Sequence, residues 1–81
     1  MTMPNERAKS ILWARALMKE LALCKEAPQK LRDDARFILR HYPLASQVRH
    51  GALIAPEWLE VDMSDPVVAR SVKDAGDSDY Y

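Results

Sequence analysis

Apolar residues recur every three or four positions along the first part of the chain, which is the spacing of an amphipathic helix. These positions are Ala8, Ile11, Leu12, Leu17, Met18, Leu21 and Ala22. Pro4 is tolerated in a first helical turn, and no glycine or proline interrupts residues 5–27. The pattern predicts a helix over residues 4–25. Its apolar surface is wide, because Trp13 and Cys24 fall outside the main stripe, so more than one partner helix is needed to cover it.

A second helical pattern lies between two prolines. Its apolar positions, spaced by four, three and four residues, are Leu31, Ala35, Ile38 and Tyr42. Pro28 disfavours helical geometry at the residue before it and suits a first turn, while Pro43 stops the helix. The pattern predicts a helix over residues 28–42. Because the connection is short, residues 4–42 read as an antiparallel helical hairpin.

The rest of the chain has weaker periodicity. Ser46 is a candidate cap for a short helix over residues 47–50, with Gly51 as its end. Residues 56–59 suit a helical turn, and a two-stranded arrangement of residues 52–63 is an alternative with poor alternation.

The sequence Asp65-Pro66 is a strong start signal for a last helix, with aspartate as the cap and proline in the first position. Val67, Val68 and Val72 then form an apolar patch, and Gly76 closes the helix. Residues 77–81 are predicted to be a frayed acidic tail. The fold class is therefore all-α, a single small domain over residues 1–76. In it, short helices and extended segments of the acidic half 51–76 pack on the hairpin.

Charge is divided along the chain. Residues 1–50 carry ten cations and five anions, a net of +5, whereas residues 51–81 carry two cations and seven anions, a net of −5. Such halves can attract each other, a second copy, or separate partners. We expect the acidic half to lie on the basic half, with Trp58, Leu59 and the valine patch covering the hairpin.

Signatures of catalysis and metal binding are missing from the sequence. Two glycines cannot build a phosphate-binding loop or a dinucleotide fingerprint, and no serine lies in a G-x-S-x-G context. Cys24, His41 and His50 have no metal-ligand spacing, and His41 suits a capping role at a helix end. We therefore expect no enzyme, no catalytic residue, no cofactor and no metal.

The same composition bears on location. The single cysteine cannot form an internal disulfide, and a cytoplasmic, reducing compartment is the default. No apolar run approaches the ~18 residues that span a bilayer, and the first residues lack the pattern of a signal peptide. We expect no membrane association.

Three arginines, Arg32, Arg36 and Arg40, lie four residues apart and form a row on the second helix. Such a row suits contact with phosphate, because guanidinium groups bind phosphate oxygens in pairs. The alternative is a solvated face, with Asp33 three residues before Arg36. No nucleic-acid recognition motif accompanies the row.

Trp13 and Leu17 are candidate residues of a partner interface, since buried interface centres favour tryptophan. Trp13 at the edge of a wide stripe also fits a core role, whereas Trp58 is predicted to be core. A hairpin rarely buries enough surface alone, so we expect a homodimer pairing hairpins through Trp13 and Leu17. The predicted function is a small interaction or regulatory domain that binds another protein. The alternative is nucleic-acid binding through Arg32, Arg36 and Arg40.

Two short motifs, Met3-Pro4-Asn5-Glu6-Arg7 and Leu39-Arg40-His41-Tyr42-Pro43, carry a resemblance. Residues 1–43 resemble a group of short proteobacterial proteins of uncharacterised function that begin MTxPxER and close a second helix with LLRHYP. These relatives favour Arg-Glu-Phe-Leu where this chain has Arg15-Ala16-Leu17-Met18. The resemblance implies a recurring hairpin with a variable C-terminal attachment, and it transfers no functional residue.

Overall fold

The computed structural model describes residues 3–75 of the chain. It contains four α-helices, α1 (Pro4–Leu23), α2 (Gln29–His41), α3 (Ala45–Ile54) and α4 (Pro66–Ala75). No strand occurs within these described residues, so the all-α prediction is confirmed and the two-stranded alternative for residues 52–63 is wrong. The predicted helix end at Gly76 and the predicted tail over residues 77–81 lie outside the described residues.

The hairpin is formed by α1 and α2, which pack against each other. Pro28 stands immediately before α2, where its carbonyl accepts a hydrogen bond from the backbone N–H of Arg32 at 3.1 Å. The helices share a small apolar cluster, which we call the hairpin cluster. Its residues are Ala22, Ala35 and Leu39, with Met18 and Leu21 packed against them.

The start of α4 lies where the sequence predicts it. A side-chain oxygen of Asp65 accepts a hydrogen bond from the backbone N–H of Val67 at 2.9 Å, and Pro66 is the first helical residue. The other carboxylate oxygen of Asp65 lies 3.0 Å from Nζ of Lys9 on α1. The Lys9 ammonium and the helix N–H groups hold the pKa of Asp65 below its usual value. This contact joins the acidic half of the chain to the basic half.

A larger apolar cluster, which we call the main cluster, joins α1, α3 and α4. Its buried residues are Ala8, Leu12, Ala45, Val48, Val68 and Val72, and Ile11, Leu59 and Val61 pack against it. The predicted packing of the acidic half on the hairpin is therefore confirmed for Leu59, Val68 and Val72, whereas Val67 lies outside the cluster. Removing apolar surface from water stabilises such contacts by roughly 25 cal/mol per Å².

Helix α1 is the common partner of the other three. Each of α2, α3 and α4 packs on α1, and they contact one another little. This arrangement explains why the apolar surface of α1 is broader than one partner helix requires. Helices on three sides cover it, and only one strip is left outside.

Helix α3 is longer than its sequence predicts. It covers ten residues and continues through Gly51, so the predicted end at Gly51 is wrong. The prediction that Ser46 caps the helix is also wrong, because Leu44 occupies the cap position. The side chain of Gln47 accepts a hydrogen bond from the backbone N–H of Leu44 at 2.8 Å. Gly51 meets a neighbouring segment closely, since a Cβ atom there would lie 3.4 Å from Cδ1 of Leu59.

Candidate interaction surfaces

One strip of apolar side chains on α1 remains outside both clusters. The exposed fractions of Trp13 and Leu17 are 54% and 60%, and Leu23 is exposed as well. Together with Ala16 and Val67 they line an open groove of about 500 Å³ between α1 and α4. We call these five residues the Trp13 surface.

The edge of the Trp13 surface carries charges of both signs. Lys19, Glu20 and Arg70 line the same groove. Nζ of Lys9 lies 6.0 Å from the centre of the Trp13 ring, at the outer limit of a cation–π contact. The structure thus brings the two predicted interface residues, Trp13 and Leu17, to one solvent-exposed face. Their role in binding a partner stays a prediction.

The arginine row of α2 is partly exposed, with Arg36 beside Asp33 as the solvated-face alternative describes, but Arg32 and Arg36 also donate hydrogen bonds to other groups of the protein. Nη2 of Arg36 donates a hydrogen bond to the carbonyl oxygen of Ala22 at 3.3 Å, and its Nη1 lies 3.4 Å from Asp33. Nη2 of Arg32 donates to Gln29 at 2.7 Å, while Arg40 is exposed. Arg36 therefore satisfies a carbonyl at the C-terminal end of α1, where helices lack internal partners. Contact with phosphate stays a prediction, and these contacts disfavour it for two of the three arginines.

Trp58 is not a core residue, so that prediction is wrong. Its side chain is 62% exposed and lies beneath the guanidinium of Arg7, which is 4.9 Å from the ring centre. Nε of Arg7 donates to the carbonyl oxygen of Trp58 at 2.9 Å, and Nη2 donates to that of Glu57 at 3.3 Å. Arg7 of α1 thus contacts both the backbone of this turn and one face of the tryptophan ring, while most of the ring remains exposed.

A second group of exposed apolar side chains lies at the end of α3 and on the segment that follows it. Leu53 is 82% exposed, and Ile54 and Met63 are exposed as well. We call Leu53, Ile54, Trp58 and Met63 the Trp58 surface. This surface was not predicted from the sequence, and the exposure of the side chains of residues 52–55 was not part of any prediction.

Arg15 was also missed, and it is 99% buried at the centre of the packed face of α1, with 1% of its surface exposed. The sequence does contain an indication of this burial. Arg15 lies three residues after Leu12 and seven before Ala22, which places it on the buried stripe of the helix. Burial raises the pKa of Tyr42, at the end of α2, and the charge of Arg15 partly opposes that rise. A buried guanidinium thus adjoins a partly buried phenol between the two clusters.

The described residues contain no group of three or more histidine, cysteine, aspartate or glutamate side chains placed to hold a metal ion. His41 instead packs on Phe37, with ring centres 5.1 Å apart, and Cys24 is a half-buried free thiol. Across residues 3–75, every helix is too short or too polar to cross a membrane.

Comparisons of the chain with protein-family profiles, with curated proteins and with solved structures find no match.

Proposed function

We propose that this chain is a small, non-catalytic interaction domain, and that its partner is a second copy of the same chain. The observation that carries the proposal is the Trp13 surface, an apolar strip on two consecutive turns of a helix that is otherwise covered. Tryptophan is enriched at the centres of protein interfaces, where its large ring is fully removed from water. A fold of this size has a modest core, and association is a common way for small domains to gain stability.

The Trp13 surface stands on a rigid element. Helices α2, α3 and α4 hold α1 from three sides, so the positions of Trp13 and Leu17 relative to each other are set before a partner arrives. Their spacing of four residues places them one above the other on the helix. A second α1 helix lying along this strip covers both side chains at once.

The charges at the edge of the surface favour a second copy. A two-fold contact places the same patch on both sides, so a patch of one sign repels itself. Lys19 and Arg70 stand beside Glu20 here, and this mixture allows opposite charges to meet across a two-fold axis. Exposed pairs of this kind contribute only ~0–1 kcal/mol each, so they set orientation and the apolar strip supplies affinity.

Sedimentation equilibrium tests the proposal. We expect a concentration-dependent dimer for the native chain and a monomer for Trp13→Ala, with circular dichroism and the melting curve retained because Trp13 lies outside both clusters. The matched control is Phe37→Ala, which removes an exposed aromatic ring from α2 and should leave the dimer intact. A 9.3 kDa monomer at tens of micromolar refutes the homodimer. Unfolding of Trp13→Ala shows instead that Trp13 supports the core.

Nucleic-acid binding is separated from this proposal by a retardation titration with mixed DNA and RNA at two salt concentrations. Binding to phosphate weakens steeply as salt rises. Arg40 is the exposed arginine of the row. If the native chain binds nucleic acid and Arg40→Gln weakens that binding, the arginine row is the functional feature. We expect no binding at low salt, because Arg32 and Arg36 are engaged by groups of the protein itself.

A further inference from the structure

The Trp58 surface is shaped by the end of α3 and the segment that follows it. Leu53 and Met63 line one side of a shallow depression of about 390 Å³, whose floor includes Leu59 and Val61. Trp58 and the other side of Leu59 line an adjoining depression beside α1, of about 510 Å³. Two neighbouring depressions thus share one partly buried leucine, and exposed apolar side chains surround both.

Acidic groups surround this surface. Glu57, Glu60 and Asp62 are all exposed, and the carboxylates of Glu57 and Glu60 form no ion pair within residues 3–75. The nearby cation Arg7 points its guanidinium at backbone carbonyls and at the Trp58 ring. Arg49 lines one of the two depressions together with Glu60, so across the two depressions and their edges the carboxylates of Glu57, Glu60 and Asp62 outnumber the cations Arg7 and Arg49.

The backbone adds to this negative charge. Helix α3 ends at Ile54 with no basic residue in its last turn. The carbonyl groups of its last turn therefore present the negative end of the helix dipole beside the surface. Two independent features, the carboxylates and the helix end, give the surface the same sign.

The surface is held in place before any partner binds. The backbone N–H of Glu60 donates a hydrogen bond to the carbonyl oxygen of Pro4 at 3.2 Å, and Arg7 fixes the carbonyl groups of Glu57 and Trp58. Leu59 and Val61 pack against the main cluster. Because these contacts use the inner side of the segment, its outer apolar side chains cannot turn inward. A preformed surface loses less conformational freedom on binding than a flexible one.

We propose that the Trp58 surface binds a basic amphipathic helix of another protein. Apolar side chains at helical spacing enter the two depressions, and lysine or arginine side chains on the flanks meet Glu57 and Glu60. The acidic edge repels phosphate groups, which disfavours nucleic acids and anionic lipids as partners. This binding is independent of the proposed homodimer, because the Trp13 surface lies further along α1.

A second copy of the chain fits this surface poorly. Helix α2 presents exposed apolar side chains, among them Phe37 and Ile38. Two of its cations, however, are paired along the same helix, since Lys30 lies 2.8 Å from Asp34 and Arg36 lies 3.4 Å from Asp33. A face on which part of the positive charge is already paired gains less from the carboxylates of the Trp58 surface.

The test uses a synthetic 14-residue peptide of leucine and lysine in amphipathic helical order. A matched peptide carries glutamate in place of every lysine. In the full chain with Trp13→Phe, Trp58 is the only tryptophan, so its fluorescence reports on this surface alone. We expect the leucine–lysine peptide to shift the emission of Trp58 to shorter wavelength in a saturable way, with weaker binding at higher salt. We expect no shift with the glutamate peptide.

Two charge variants in the same background complete the test. Glu57→Gln with Glu60→Gln should weaken binding roughly tenfold, because two exposed ion pairs are lost. The matched control, Asp33→Asn with Asp34→Asn, removes the same charge from α2 and should leave binding unchanged. The proposal is refuted if both peptides bind equally, if neither shifts the emission of Trp58, or if the two double variants weaken binding equally. A shift that depends on protein concentration alone shows that a second copy covers the surface, which also refutes it.

Discussion

Replacing Gly51 by alanine tests the structure of α3 through the sign of the change in stability. Gly51 lies inside α3, its carbonyl oxygen accepts the backbone N–H of Ala55 at 2.8 Å, and its backbone does not adopt the left-handed conformation that glycine favours. An alanine in a helix interior is about 0.5–1 kcal/mol more favourable than glycine, mainly because glycine loses more freedom on folding. If the helix ended at Gly51 in a left-handed conformation, alanine would be destabilising by a similar amount.

The one contact that opposes this gain is small. The new methyl group would lie 3.4 Å from Cδ1 of Leu59, just inside the ~3.5–4.0 Å range of optimal carbon contacts. Cδ1 is the end of a flexible side chain on an irregular segment, so a shift of a few tenths of an ångström relieves the contact. We therefore expect Gly51→Ala to raise the free energy of unfolding by about 0.5–1 kcal/mol, which raises Tm by roughly 2–8 °C for a domain of this size.

Thermal unfolding followed by circular dichroism measures the effect. Ala52→Gly is the matched control, since it makes the reverse change at the next position of the same helix and should lower Tm by a comparable amount. A fall in Tm for Gly51→Ala refutes the reasoning. In that case Gly51→Ala is repeated in a Leu59→Ala background. If Gly51→Ala raises Tm there, the contact with Leu59 is tighter than described. If it still lowers Tm, the helix ends at Gly51.

Two further predictions concern pH. The pKa of Asp65 is lowered in the fold. The ionised carboxylate therefore stabilises the fold fully at pH values above the usual aspartate pKa, and this stabilisation is lost as pH falls through the lowered pKa. Asp65→Asn keeps a capping side chain and should therefore show a shallower loss of stability in acid-titration melts than the native chain. The pKa of Tyr42 is raised above its ordinary value of 10.0. The neutral phenol therefore contributes to stability at pH values below 10.0, and this contribution is lost as pH rises through the raised pKa. In a chain with Tyr80→Phe and Tyr81→Phe, the ultraviolet absorbance of tyrosinate should report this late titration, and Tyr42→Phe should abolish it.

The features predicted correctly from sequence are those that local chemistry decides. Pro28 and Pro43 restrict the backbone of the residues beside them, so the limits of the hairpin follow from two positions. Asp65 and Pro66 set the start of α4 through one hydrogen bond and one fixed dihedral angle. Trp13 was expected at the edge of a wide apolar stripe, and it is exposed, whereas its role and that of Leu17 in binding a partner stay predictions.

The features that the sequence predicted wrongly depend on contacts between distant residues. Gly51 has the residue type of a helix end, yet α3 continues through it, and the close neighbour of Gly51 is Leu59, which belongs to another segment. Trp58 has the composition of a core residue, but Arg7, more than fifty positions earlier in the sequence, engages the backbone of its turn. The hydrogen bond from Arg36 to the carbonyl oxygen of Ala22 was not part of any prediction. No local pattern reports any of these three contacts.

The position of α1 at the centre of the fold also orders the steps of folding. In the hairpin cluster Ala22 and Ala35 are thirteen positions apart, whereas Leu12 and Val68 in the main cluster are fifty-six apart. Closing the longer loop costs about 1.3 kcal/mol more conformational entropy, by the logarithmic dependence on loop length. The loop-closure term therefore favours forming the hairpin contacts before α4 docks. Because α4 contributes no residue to the hairpin cluster, we expect amide hydrogen exchange to be faster in α4 than in the paired parts of α1 and α2.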